Sequence, residues 1–205
     1  MTAVAESPQE SEQHPRKAPK IRAVLAGGLV LGIGAAVTLA AWNDSEFAQG
    51  TFTAGTFNLE GSTDGTAYSS NADPASPKQL AFTTSTANMS PGDVVSAPFA
   101  VRLDAASSYD ATVTVSTEAT SGPLTGLTYT LTRTTGFGCG SGDLSTLVST
   151  NPLGTTPANV TFPLSQGPQE DPGGPVYLCF QVTAGATLPQ GSTSTATWEF
   201  TAQSL

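Results

Sequence analysis

Hydrophobic and polar positions alternate in short bursts along most of the chain, and the exception lies near its front. Ala23–Ala41 is an uncharged run of 19 residues, close to the ~20 that a helix needs to cross a bilayer. Beyond it the period becomes two, the period of strands. Val94–Leu103 places Val95, Ala97, Phe99, Val101 and Leu103 on one face. Pro98 falls on the other face, and a proline cannot donate to a ladder, which predicts an edge position or a bulge there. Tyr109–Thr117 directs Ala111, Val113 and Val115 to one side, and Leu127, Tyr129 and Leu131 repeat the pattern. Asn159–Leu164 aligns Val160, Phe162 and Leu164. Val176–Val182 aligns Val176, Leu178, Phe180 and Val182, and a closing strand holds Ala196, Trp198 and Phe200. Two further strands are expected earlier, over Thr51–Leu59 and beginning at Leu80 and Phe82.

Turn chemistry separates these bursts. Ser90-Pro91-Gly92-Asp93 pre-sets one φ with proline and supplies a positive one with glycine. Gly61–Lys78, Phe137–Asp143 and Gln166–Pro175 are rich in Gly, Pro, Ser and Asn. About eight strands spaced by turns predict an all-β fold, a two-sheet antiparallel β-sandwich of jelly-roll type. An immunoglobulin-like sandwich is the rival, but neither tryptophan lies between the two cysteines, as that fold's core requires.

The charge pattern explains the apolar run. Arg16, Lys17, Lys20 and Arg22 precede it, and Asp44 and Glu46 follow it. Positive charge stays on the cytoplasmic side, so the run inserts with its C-terminal end outward. The organisation expected is a disordered tail over 1–19, a signal segment with a hydrophobic helix over 20–41, and an exported domain over 42–205. A retained membrane anchor is the alternative. The exported part holds Lys78, Arg102 and Arg133 against 13 carboxylates, a net charge of −10, which repels nucleic acid and anionic lipid. Contact with membrane is then expected only through the uncleaved signal segment.

The stretch Ala40-Ala41-Trp42-Asn43-Asp44, followed by Gln49-Gly50-Thr51-Phe52-Thr53-Ala54-Gly55-Thr56-Phe57-Asn58-Leu59, resembles the N-termini of the TasA/camelysin family. It looks closest to the actinobacterial branch described as alternate signal-mediated exported proteins. Phe57 and Asn58 stand where the family pattern has Leu and Asp, and Leu39 departs from the small residue usual three positions before the cut. The resemblance implies a SipW-type signal peptide, cleavage between Ala41 and Trp42 by a dedicated signal peptidase, and a cell-surface or extracellular-matrix protein. It also implies a fibre subunit, a homo-oligomer in which the segment bearing Trp42, Phe52, Phe57 and Leu59 completes a neighbour's sheet. Strand addition is a cheap way to polymerise because main-chain hydrogen bonds supply the affinity. The plainer alternative is that this strand pairs within its own domain.

Catalytic chemistry finds little to stand on. His14 is the only histidine and it precedes the signal, so a His-Glu-x-x-His zinc helix or a serine triad has no base in the exported part. No phosphate loop is present, and no cofactor is expected. Glu170-Asp171 reads as a solvated turn, and Asp104, Asp110 and Asp143 are calcium ligands only if loops converge. Cys139 and Cys179 lie past the export signal, in an oxidising compartment, which favours a disulfide over two buried thiols. The protein is expected to be a non-enzymatic structural protein. The alternative is a binding module for carbohydrate or a surface protein, with Tyr68 and Tyr109 as isolated aromatic candidates.

Overall fold

The computed structural model describes residues 46–51, 53–123, 125–168 and 170–205. The tail, the signal segment and the cleavage pair Ala41 and Trp42 lie outside the described residues, as does Phe52. Among the described residues no helix is long and apolar enough to cross a membrane. The chain divides at Phe52 into two units. Of the first, residues 46–51 are exposed and carry no regular structure, and the Phe47 side chain is 93 % exposed.

The second unit, from Thr53, is all-β. Its strands are β1 (Leu59–Ser62), β2 (Val94–Leu103), β3 (Ala111–Ser121), β4 (Leu127–Thr134), β5 (Asp143–Pro152), β6 (Thr161–Leu164), β7 (Val176–Ala184) and β8 (Thr195–Ser204). They form two antiparallel sheets, one ordered β1-β2-β7-β4-β5 and the other β6-β3-β8. The alternation read from the sequence sets the layers. Val95, Phe99, Val101 and Leu103 of β2 meet Leu178, Phe180 and Val182 of β7, and Tyr129 and Leu131 of β4, from the large sheet. Ala111, Val113 and Val115 of β3 with Phe162 and Leu164 of β6 close the core from the small one. All of these are buried.

The two ends of the sandwich differ. One end carries the β2–β3 turn, the β4–β5 hairpin loop and the β6–β7 connection. Thr56–Asn58 is fastened there: Thr56 bridges Ser107 in parallel, Ser108 N–H donates to the Thr56 carbonyl at 2.9 Å, and Asp104 N–H donates to the Asn58 carbonyl at 3.1 Å. The chain thus enters the domain at this end, which we call the root end. The β3–β4, β5–β6 and β7–β8 connections occupy the far end.

Three expectations are corrected. The strand expected over Thr51–Leu59 begins only at Leu59, because the residues before it follow the β2–β3 turn by side-chain and single backbone bonds instead of a ladder. Leu80 and Phe82 pack against the core but form no strand; one backbone bond, Thr83 N–H to the Ser96 carbonyl at 2.8 Å, ties this segment to β2. Third, β5 was missing from the expected strands. Pro98 is not on an edge strand, yet its position is locally an edge. The Ser96 carbonyl faces away from β7, so Pro98, two residues on, turns its missing N–H the same way. The β1 pairing there covers only Ala100–Leu103.

Candidate functional site

The feature that sets this sandwich apart is the outer edge of β8. The Leu205 N–H donates to the Asp110 carbonyl at 2.9 Å, which fixes the phase of the β3–β8 ladder. Odd-numbered residues of β8 turn their backbone groups to β3, and even-numbered ones turn theirs away. In this 10-residue strand, Ala196, Trp198, Phe200, Ala202 and Ser204 therefore aim five N–H and five C=O groups outward, where no strand pairs with them among the described residues.

The same residues carry the inward-facing side chains, and these are only half covered. Trp198, Phe200 and Ala202 are partly buried, whereas Val113 and Val115 beside them on β3 are buried. The aromatic rings form a seam: Phe180 to Trp198 at 4.5 Å between centroids, Phe99 to Phe200 at 5.3 Å, Tyr129 to Trp198 at 5.4 Å. The Trp198 indole N–H is buried with no partner. β8 has one charge, Glu199, no proline and no irregularity of its own.

The other three edges are protected. β1 is four residues long and its outer side is capped by a two-bond bridge between Gly61 and Ser69. β6 is four residues long and contains Pro163. β5 shifts register against β4 at three places, which twists the edge away from a flat template. Among the described residues, β8 alone is a long, regular edge strand with no strand on its outer side.

Of the expected exchange segment, Phe57 and Leu59 pack against the core of their own domain. From Thr56 on, the chain is held to the β2–β3 turn. Cys139 and Cys179 are disulfide-bonded, with Cα atoms 5.0 Å apart, and tie the β4–β5 loop to the outer face of β7. Above the same face Arg102 pairs with Glu60 at 3.1 Å and lies 4.0 Å over the Tyr68 ring. Asp64 in the neighbouring turn accepts the N–H groups of Ala67 and Thr66 and the Ser62 hydroxyl, which hold its carboxyl well below the usual range.

The acidic candidates are spread out. Asp104 accepts from Ser107 at 2.7 Å and from Asn58 at 3.2 Å, Asp110 accepts the Gln166 N–H at 2.8 Å, and Asp143 opens β5. Glu170-Asp171 lies on a turn in which Asp171 N–H donates to the Pro168 carbonyl at 2.8 Å. Among the described residues no three acidic, histidine or cysteine side chains are grouped to hold a metal. A cleft of about 370 Å³ at the root end is lined by Ala105–Ser108, Gln166, Gly167, Pro168 and Glu170. Sequence reasoning missed the β8 edge because alternation shows a strand but not which of its sides is left unpaired. Compared with known proteins, the chain matches no family model and no curated protein.

Proposed function

We propose that this is an exported, non-enzymatic structural protein of the cell surface or extracellular matrix that assembles by β-strand addition. The bare edge of β8 carries this reading. Ten outward backbone groups beside a half-covered aromatic seam are a template for one more strand. The chain also has a strand to give. Cleavage after Ala41 leaves Trp42–Gly55 ahead of the anchored Thr56, 14 residues or about 46 Å when extended, against about 33 Å for β8. A dedicated signal peptidase is the partner that frees this arm, and the uncleaved signal segment is the only membrane attachment.

The test places a protease site between Ala41 and Trp42 in the full chain, held in detergent, and examines it by electron microscopy before and after cutting. Filaments or oligomers after cutting are expected. Single particles at every concentration would overturn the reading. Glycan binding is the second reading, favoured by Tyr109, a residue 49 % exposed and next in sequence to Ser108 of the root-end cleft. A glycan array probes it directly, and loss of binding in Tyr109→Ala is its expected signature.

A further inference from the structure

Between β1 and β2 the chain makes a long excursion, and its last part runs along the outer side of β2. β1 pairs only with Ala100–Leu103, so on that side the first half of β2 has no strand beside it among the described residues. In place of a strand, Leu80, Phe82 and Met89 pack against the core, and the Thr83 N–H donates to the Ser96 carbonyl at 2.8 Å. Between the anchors Phe82 and Met89 the chain loops out. Thr83, Thr84, Ser85 and Thr86 follow one another there, all exposed and outside any strand. Asn88, with φ 62°, takes up the left-handed conformation that turns the chain back toward the core.

The state of these hydroxyls sets them apart. A hydroxyl bonded within the fold must give up that bond before it can react, at about 0.5–1.5 kcal/mol each. Those of Thr83, Thr84 and Thr86 carry no hydrogen bond among the described residues, and Ser85 only accepts the Ala87 N–H at 3.2 Å, which leaves its proton uncommitted. The chain's other run of four hydroxyl residues, Ser192–Thr195, is engaged. Ser192 donates to the Pro189 carbonyl at 2.8 Å, Ser194 donates to the Pro123 carbonyl at 2.7 Å, and Thr195 opens β8. Charge favours the first run as well. Gln79–Gly92 contains no charged residue, in an exported part whose net charge is −10, so an anionic reagent meets little repulsion along it. Pro77 and Pro91 bracket the run, and serine and threonine clustered with proline are the composition of O-glycosylated segments.

Resting on the export reading, we infer that Thr83–Thr86 is an acceptor site for O-linked sugar, transferred on the outer side of the membrane from a hexose carried on a lipid phosphate. The acceptor hydroxyl oxygen attacks the anomeric carbon of the sugar. The bond from that carbon to the phosphate oxygen breaks, its electron pair leaves with the lipid phosphate, and the hydroxyl proton passes to a base of the transferase. Attached sugars are bulky and hydrated. They stand beside the half of β2 that lacks a strand, where Val94 is 47 % exposed, and keep other chains from pairing there.

Peptide mapping tests the site. Trypsin cuts after Lys78, Arg102 and Arg133, so Thr83–Thr86 is released within the peptide 79–102 and Ser192–Thr195 within the peptide 134–205. The full chain, with its own signal segment, is made and exported by its producing cells, then digested beside the same sequence from cell-free translation. The exported peptide 79–102 is expected to be heavier by whole hexose units, and electron-transfer fragmentation, which keeps sugars attached, to place them on Thr83–Thr86. Changing the run with Thr83→Ala, Thr84→Ala, Ser85→Ala and Thr86→Ala should return that peptide to its sequence mass; if this variant is not exported, the map of the parent decides alone. Exported protein whose peptide 79–102 has only its sequence mass overturns the inference and leaves the export reading standing. Sugar found only outside Thr83–Thr86, on Ser192–Thr195 for example, overturns it too. A chain kept whole in the cytoplasm overturns both.

Discussion

Proline placed at neighbouring positions of β8 separates the paired side of that strand from the bare one. Thr201 turns its N–H to Thr114 of β3, and Ala202 turns its N–H to the open edge. Thr201→Pro removes a ladder bond, leaves the β3 carbonyl unpaired and drives the ring toward β3. An unsatisfied backbone group of this kind costs about 1–3 kcal/mol, and the ring clash adds to it. Ala202→Pro breaks no bond in the isolated domain. Its cost is the narrowing of φ toward −65°, offset by roughly 0.4–1 kcal/mol from the stiffer unfolded chain. The expected difference in stability between the two is therefore about 3 kcal/mol, or ~6–12 °C in Tm for a domain of this size. Urea unfolding followed by circular dichroism measures it. For assembly the order inverts in kind: Ala202→Pro removes one of ten outward groups and obstructs those beside it. At about 1–3 kcal/mol per contact, the concentration needed for filaments should rise ~5- to 150-fold while the fold holds. A stable Thr201→Pro beside an unfolded Ala202→Pro would refute the phase assigned to the ladder, and with it the bare edge.

Three further outcomes are expected. Reducing Cys139–Cys179, which closes a loop of 40 residues, should cost about 4 kcal/mol in the chain-entropy account, seen as a lower urea midpoint with reductant; a shift worth under 1 kcal/mol would show that the loop is held by its packing alone. Gly65→Ala should destabilise by about 1–3 kcal/mol, because the glycine has φ +76° and a Cβ would sit 2.5 Å from the Phe137 ring, and Phe137→Ala in the same chain should recover only the steric part. Burial pushes the Tyr68 phenol above its ordinary value near 10, with repulsion from Tyr177 and Asp64 adding to it and Arg102 opposing. A pKa raised on folding gives stability that is whole below pH 10 and lost as pH climbs from there. Tyr68→Phe, which also removes a buried hydroxyl that lacks a partner, should hold its stability above pH 10 better than the parent in paired thermal melts.

Most of the sandwich was legible as alternation. β2, β3, β4, β6, β7 and β8 each keep one face apolar, and the core takes those residues. β5 was not, because Val148 is its only buried residue and three register shifts against β4 break the period. Leu80 and Phe82 misled for the opposite reason. Apolar residues two apart can seal the side of a sandwich from a loop, with no ladder beneath them. Pro98 gave a true local signal, an unpaired N–H direction, that was read as a property of the whole strand. The candidate site was harder still. Trp198 and Phe200 look like any core residues in sequence, and their half-covered state depends on how many strands stand beside them.

Thr156 gives the sandwich a mechanical character. Its hydroxyl hydrogen-bonds both Thr117 of β3, at 2.8 Å, and Tyr129 Oη of β4, at 2.9 Å, and so clasps one layer to the other at the far end. At the root end the β6–β7 connection does the same, through Gly173 N–H to the Leu103 carbonyl and Gln166 N–H to Asp110. Buckled top and bottom, the two layers resist sliding and gaping. Whatever comes to lie along the uncovered flank meets a stiff rim that keeps its shape, so little order has to be created when contact is made.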